Sequence, residues 1–207
     1  MSETATQLRL VLASSSPRRR QLLAEAGYAF QAVSPLIEEP EDLAADLSPA
    51  GKAEALAYFK ARTVAERMPE ACVLGADTIV AVAGHVLGKP IDDADAERML
   101  RALAGTRHAV ITGVVLLGPC DARVIASDTT YVTMLHITDA DIVAYVASGE
   151  WRGKAGAYAI QETADRFVVK VEGSFSNVVG LPIELVDRML REAGLQPAAG
   201  DGTWEPS

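Results

Sequence analysis

The chain has 207 residues, 49% of them hydrophobic, and a formal net charge of −9. This length suits one large domain, or two small closely packed ones, with a sizeable core, and we expect a single domain with its core over about residues 8–194. The acidic balance argues against a general nucleic-acid binder, because backbone binding needs a basic face, but it allows a small anion in a local basic pocket.

The sequence also bears on the cellular location of the protein. No window approaches the length of a membrane span and no charged, apolar leader opens the chain, so we expect no membrane association and a cytoplasmic location. Cys72 and Cys120 lack any zinc-binding spacing, which predicts two buried thiols. Residues 1–7 and 195–207 are predicted to be frayed or disordered tails.

Residues 8–27 predict a strand, a hydroxyl-rich turn and a helix. An apolar run ends at Ala13, Ser16 is a good N-cap and Pro17 suits the first helical position. The first helical turn then holds three arginines (18–20), although the helix dipole favours acidic residues there. Backbone amides, hydroxyls and guanidinium groups together favour a phosphate or another oxyanion, with a solvated helix face as the alternative.

A short strand is predicted over residues 28–33, followed by an acidic loop over residues 36–47. A long helix then begins at Pro49 and runs to about residue 68. Lys60 falls on or beside the apolar side of this helix. A lysine in such a place usually extends its ammonium group to solvent unless something pairs with it.

Residues 72–82 contain two apolar runs, which predict two strands separated by residues 75–78. A charge between buried runs is costly unless it is solvated, paired or bound to a metal, so Asp77 is a candidate site carboxylate, with a turn-forming aspartate as the alternative. A hairpin turn at residues 83–84 would return the chain to Lys89, close to Asp77 if the hairpin is regular.

Helices and strands continue through the second half of the chain. The patterns predict helices over residues 92–103, 139–148 and 182–194, an antiparallel pair of strands over 107–117 and 123–134, a strand over 166–172 and a polar turn over 173–177. A glycine-bearing turn leads to Gln161, whose amide can read the edge of a base, although a polar residue at a strand end is the alternative. The three histidines lack ligand spacing and are interpreted as structural or surface residues.

Seven motifs occur in an order and spacing that are specific as a set, although none is specific alone. They are LASSSPRRRQLL (12–23), IEEP (37–40), ALAYFKA (55–61), LGADTIV (74–80), GKP (88–90), AGAYAIQ (155–161) and NVVGLP (177–182). In this combination the chain closely resembles the Maf family of nucleoside triphosphate pyrophosphatases. The resemblance implies an α/β fold with a mixed twisted sheet flanked by helices, similar to the inosine-triphosphatase-like fold, with the site in the cleft between the two lobes of the sheet. It also implies a homodimer.

The resemblance further implies the roles of individual residues. The triphosphate would be held by Ser14, Ser16, Arg18 and Arg19. The catalytic residues would be Asp77, as proton acceptor, with Glu39, Lys60 and Lys89. Asp77 and Glu39 would bind a divalent cation, Mg²⁺ or Mn²⁺, which typically takes one or two carboxylates with phosphate oxygens and waters. The IEEP segment departs from the commoner DETP form, which leaves open whether Glu38 or Glu39 is the working residue.

Three positions concern the substrate. Arg18, Thr78 and Gln161 resemble the branch of the family that acts on dTTP and UTP, whereas the 7-methyl-GTP branch, the alternative within the enzyme class, has tryptophan and glutamate in place of Arg18 and Gln161. A non-hydrolytic nucleotide-binding regulator of cell division is the alternative outside it, although a binder needs no pair of carboxylates beside a polyanion. Low aromatic content and net negative charge argue against a single-stranded nucleic-acid module.

Overall fold

The computed structural model describes residues 8–36, 47–120, 122–161 and 163–198. In these ranges seven strands form one sheet: β1 (Arg9–Ala13), β2 (Gln31–Val33), β3 (Ala71–Val82), β4 (His85–Leu87), β5 (Arg107–Leu117), β6 (Arg123–Met134) and β7 (Val168–Glu172). The same ranges hold the helices α1 (Pro17–Glu25), α2 (Pro49–Ala65), α3 (Asp93–Leu103), α4 (Asp139–Ser148), α5 (Phe175–Val179) and α6 (Ile183–Glu192). None of these helices has both the length and the apolar character needed to cross a bilayer.

The sheet is mixed, with strand order β2-β1-β3-β5-β6-β7 and β4 paired to β3. β1 runs parallel to β2 and β3, whereas the β3–β5, β5–β6 and β6–β7 pairs are antiparallel. Small residues of α2 pack against one face of the sheet. The apolar residues of α1, α3, α4 and α6 form the main core with alternate residues of the same strands. The predicted mixed sheet flanked by helices is confirmed.

Local signals predicted several boundaries correctly. β1 ends at Ala13, and α1 begins at Pro17 after the N-cap Ser16. β5 and β6 have the predicted bounds, and α4 ends at Ser148 with Gly149 as its C-cap. These boundaries depend on caps and turns that lie within a few residues of the element itself, so the sequence nearby is sufficient to set them.

Other predictions are wrong. Residues 71–82 form one continuous strand, β3, instead of two strands separated by residues 75–78. The predicted polar turn at residues 173–177 contains the start of α5, because Ser174 caps that helix by accepting the N–H of Asn177. Cys72 is buried, which raises its thiol pKa to about 11, but Cys120 is exposed in the turn between β5 and β6.

Some element bounds are also shorter than predicted. α2 ends at Ala65, β2 covers three residues, and a 3₁₀ turn over Thr163–Phe167 precedes β7. The acidic loop with Glu38 and Glu39, and most of both predicted tails, lie outside the described residues.

The edge of β3 that faces β1 is divided into two paired parts. β1 pairs with residues 71–75 and β4 with residues 80–82. Residues 76–79 have no described strand beside them on this edge, while β5 pairs with them on the other. Since Ala13 lies opposite Gly75, the turn after β1 lies at this gap. An opening beyond the carboxyl ends of parallel strands is a common place for ligands in α/β sheets.

Two glycines let α2 lie very close to the sheet. A Cβ on Gly75 would lie 2.6 Å from the carbonyl oxygen of Ala57, and one on Gly113 would lie 2.3 Å from the carbonyl carbon of Ala53. Both distances are far shorter than a van der Waals contact, so the helix backbone rests directly on the strands. Gly113 is the β5 residue paired with Asp77. This close packing brings α2 side chains to Asp77.

We predict that Gly113→Ala lowers the free energy of unfolding by about 1–3 kcal/mol, because its methyl group would overlap the α2 backbone, which cannot rotate away. Gly88→Ala is the control, since nothing lies within 4 Å of its added Cβ, and it should change stability by less than about 0.5 kcal/mol. Urea unfolding of both variants and the parent measures the difference. Equal stability of Gly113→Ala and the parent would contradict the close packing.

Candidate active site

A cleft of about 570 Å³ lies at the gap in the edge of β3. Its lining comes from the turn after β1 with the start of α1, from β3 and α2, and from two later segments that precede and follow β7. Eight of the predicted site residues line it: Ser14, Ser16, Arg18, Arg19, Lys60, Thr78, Lys89 and Gln161. Asp77 contacts the lining residue Lys60. Glu39 lies outside the described residues.

The charge of the cleft is opposite to that of the chain. Its lining includes six cations: Arg18, Arg19, Lys60, Lys89, Arg152 and Lys154. No aspartate or glutamate is among the described lining residues, although the chain as a whole carries −9. Arginine and lysine side chains are common protein partners of phosphate and carboxylate groups. The cleft therefore suits a small ligand with several negative charges.

The turn after β1 is shaped by its own serines. Ser14 Oγ accepts the N–H of Ser16 at 3.1 Å, and Ser16 Oγ accepts the N–H of Arg19 at 3.5 Å. These bonds hold the N-terminus of α1 at the cleft, where its dipole and backbone amides favour an anion. Arg20 does not join this arrangement, because its side chain donates to the carbonyl oxygen of Ser15 at 2.9 Å on the exposed side.

The two arginines of the cleft are held differently. Arg19 Nε donates to the carbonyl oxygen of Gly180 at 2.7 Å, and its Nη2 donates to Thr78 Oγ1 at 3.0 Å. These bonds tie α1 to β3 and to the residue that ends α5. Arg18 Nε is buried and has no hydrogen-bond acceptor among the described residues. An unsatisfied buried donor is costly, so an incoming oxyanion would find a donor already in place.

Asp77 and Lys60 form a buried ion pair. Lys60 Nζ donates to Asp77 Oδ1, and the two side chains are only 10% and 6% exposed. The close approach of α2 to the sheet makes this contact possible. The pair also explains why β3 is continuous, since the carboxylate is neutralised within the strand instead of requiring a break in it. Because Lys60 lines the cleft, it links the carboxylate to the ligand space.

Arg152 and Lys154 are cleft residues that the sequence analysis missed. They precede a 3₁₀ turn in which Gly156 has φ +69° and donates its N–H to the carbonyl oxygen of Gly88 at 3.0 Å. A Cβ on Gly156 would lie 2.9 Å from Val80 Cγ2, so the loop packs tightly against β3. This contact brings both cations near the end of the β3–β4 hairpin. The available sequence signal is two cations flanking a glycine just before a glycine turn.

Tyr158 also lines the cleft, and its side chain contacts the buried His108. His108 Nε2 and the Tyr158 hydroxyl are 2.9 Å apart, and the two rings meet edge to face. Burial lowers the pKa of His108 to about 4, so the imidazole is neutral near pH 7. His108 therefore has a structural role. Gln161 lies three residues beyond Tyr158 at the exposed rim of the cleft.

The donor set can be compared with what a divalent cation requires. Within the described ranges, no group of three or more His, Cys, Asp and Glu residues is placed to hold a metal ion. Mg²⁺ is usually bound by one or two carboxylates together with phosphate oxygens and waters. Asp77, which lies next to the cleft residue Lys60, is one carboxylate of the kind that such a site uses; a phosphate-bearing ligand would have to supply further oxygens.

The fold and the cleft together define a class: an α/β protein with a cation-lined pocket for a small polyanion at a gap in its sheet. The comparison with protein families narrows this class. Residues 9–193 match the family model described as Maf-like protein, and the chain belongs to that family.

Relatives and a solved structure agree with this assignment. The chain is 48% identical over 186 residues to a protein from Koribacter versatilis (strain Ellin345) named dTTP/UTP pyrophosphatase, covering 90% of this chain and 95% of that protein. A protein of the same name from Salinibacter ruber (strain DSM 13855 / M31) is 49% identical over 185 residues, covering 88% and 89%. The structure of a HAM1 protein from Coxiella burnetii aligns with a TM-score of 0.50 at 18% identity, covering 89% of this chain and 99% of that chain, and it supports the fold.

We predict that Lys60→Met lowers the free energy of unfolding by about 3–5 kcal/mol, because it leaves a buried carboxylate without its partner. The double variant with Asp77→Asn should recover a large part of this loss, since neither charge then remains. Urea unfolding of the parent, both single variants and the double variant gives the coupling energy. Strictly additive losses would contradict the pairing.

Proposed function

We propose that this protein is a nucleoside triphosphate pyrophosphatase that hydrolyses dTTP and UTP to the nucleoside monophosphate and pyrophosphate. The observation that carries the proposal is a buried carboxylate, Asp77, paired to a lysine that lines a cleft with six cations. The relatives named dTTP/UTP pyrophosphatase, which align over most of this chain, support the same activity.

The cations suit the phosphate chain of the substrate. Arg18, with its buried Nε, and the α1 N-terminus would hold oxygens at one side of the cleft. Lys60, Lys89 and Lys154 would neutralise the rest of the chain from β3 and the later loop. Cations fixed before the reaction stabilise the charge that develops on the phosphates in the transition state, which is the main protein contribution to phosphoryl transfer.

The reaction requires a water to attack the α phosphorus and a group to accept its proton. We assign the acceptor to Asp77, whose carboxylate is oriented by the bond from Lys60 to Oδ1. A positioned base typically contributes about 10² to 10⁴-fold to the rate. The bond from the α phosphorus to the bridging oxygen breaks, and pyrophosphate leaves against the lysines of the cleft. Glu39 is proposed as the second carboxylate of the site.

The proposed reaction uses a divalent cation. Asp77 and Glu39 are the proposed protein ligands of Mg²⁺ or Mn²⁺, and phosphate oxygens and waters supply the remaining ligands. When bound, the ion would add positive charge on the phosphates and lower the pKa of a coordinated water.

The preference for pyrimidine nucleotides rests on Arg18, Thr78 and Gln161. All three line the cleft, and their residue types resemble the dTTP/UTP branch of the family instead of the 7-methyl-GTP branch. From the same resemblance we propose a cytoplasmic location and a homodimer. The partner proposed for the cleft is a nucleotide substrate, not a nucleic acid or a membrane.

We predict that the protein with Mg²⁺ releases pyrophosphate from dTTP and UTP, and that Asp77→Asn lowers kcat by at least about 10²-fold through loss of the proton acceptor. The panel contains canonical, modified and 7-methylated triphosphates. Asp139→Asn is the matched control, because Asp139 is an exposed residue at the start of α4, and it should keep the parent rate. Circular dichroism verifies that each variant is folded.

Three results would overturn the assignment or part of it. Preferential turnover of 7-methyl-GTP would place the protein in the other branch of the family. Tight nucleotide binding without turnover of any triphosphate would favour a non-hydrolytic regulator. An Asp77→Asn variant with parent kinetics would remove Asp77 from the mechanism.

We predict that Arg18→Met raises KM for dTTP by about tenfold or more, because a charge-assisted bond to the triphosphate is lost. Arg20→Met is the matched control two residues away: Arg20 is exposed and is not among the residues that line the cleft, so the KM of this variant should change less than about twofold. Steady-state kinetics of both variants measures the difference, and equal KM values for the pair would contradict the assignment of Arg18.

A further inference from the structure

Two threonines face each other across β3 and β5 behind the cleft. Thr78 is partly exposed and lines the cleft, whereas Thr112 is completely buried. The two residues are register partners in the sheet, and their Oγ1 atoms are 2.9 Å apart. This hydrogen bond has two possible directions, and the direction decides what Thr78 presents to a ligand.

The direction follows from the partners of Thr112. A hydroxyl has one proton to donate and two lone pairs to accept with. Thr78 Oγ1 is the hydrogen-bond partner of Thr112 Oγ1 among the described residues. If Thr112 only accepted, its own hydroxyl proton would be buried without an acceptor, which is unfavourable. Thr112 therefore donates to Thr78.

The single hydroxyl proton of Thr78 is then available for donation to a ligand in the cleft. Thr78 Oγ1 accepts from Arg19 Nη2 at 3.0 Å and from Thr112, so both of its lone pairs are occupied. The carbonyl oxygen of Gly180 lies 3.4 Å from Thr78 Oγ1 and already accepts from Arg19 Nε at 2.7 Å. That contact is long for a hydroxyl donor, so an oxygen acceptor of a ligand in the cleft can replace it at little cost.

We propose that Thr112 is a positioning residue that makes Thr78 a hydrogen-bond donor to a carbonyl oxygen of the pyrimidine base. This inference rests on the proposed function and extends it to a residue that never touches the substrate. Uracil and thymine carry a carbonyl at the position where cytosine carries an amino group. A hydroxyl that can only donate forms a hydrogen bond with the carbonyl of uracil or thymine. With cytosine the same hydroxyl would face an amino group, which is also a donor, so cytosine is disfavoured.

The test compares kcat/KM for UTP and CTP in the parent, Thr112→Val and Thr112→Ser. Valine keeps the shape of threonine without the hydroxyl, so the Thr78 hydroxyl becomes free to accept as well as donate. We expect the preference for UTP over CTP to fall about tenfold in Thr112→Val, mainly through KM. Serine keeps the donor, and Thr112→Ser should retain the parent preference.

Thr130→Val separates positioning from stability. Thr130 is also completely buried, but its hydroxyl bonds to Ser174 and Asn177 and it does not line the cleft. Thr130→Val should lower the unfolding midpoint and keep the parent UTP preference. A Thr112→Val variant that keeps the preference, or that loses UTP and CTP turnover equally, overturns the inference.

Measurements on the parent enzyme distinguish a failure of the proposed function from a failure of the role of Thr112. Absence of pyrophosphate release from every triphosphate would refute the proposed function itself. Turnover of UTP and CTP at equal kcat/KM by the parent would leave the pyrophosphatase in place and refute the role of Thr112.

Discussion

The buried pair of Asp77 and Lys60 is the interaction on which the rest of the site depends. A lone charge in the middle of a sheet costs several kcal/mol, and it is tolerated here because a lysine reaches it from the neighbouring helix. The lysine reaches it because Gly75 and Gly113 let the helix backbone lie against the strands. A side chain at either glycine would overlap the helix backbone and disturb the approach that brings Lys60 to Asp77.

The pair lies beside the gap between β1 and β4, where one long strand continues past the end of a short one. This difference in strand length creates the ligand space and places the N-terminus of α1 beside it. The cations come from elements far apart in the chain, so the cleft exists only when those elements are packed together.

The sequence predicted the parts of this site that depend on local signals. The turn with Ser14 and Ser16 could be predicted because an N-cap and a proline fix the start of a helix within four residues. The continuous strand through Asp77 could not be predicted in this way, because the partner of its carboxylate, Lys60, lies 17 residues earlier on a helix. Arg152 was missed for a similar reason: a glycine contact with the β3–β4 hairpin, invisible in sequence, carries its loop to the cleft.

Charge and hydrogen bonding contribute to ligand recognition in different ways. Six cations attract any small polyanion, and both a purine and a pyrimidine triphosphate carry the same phosphate chain, so charge supplies affinity without choosing the base. Selection needs groups whose hydrogen-bonding direction is fixed before the ligand arrives. The hydroxyl of Thr78 meets that condition because Arg19 and Thr112 occupy its lone pairs. In the proposed enzyme, Arg19 would therefore act on both parts of the substrate, since the bond it donates to Thr78 Oγ1 helps to fix the hydrogen-bonding direction of that hydroxyl.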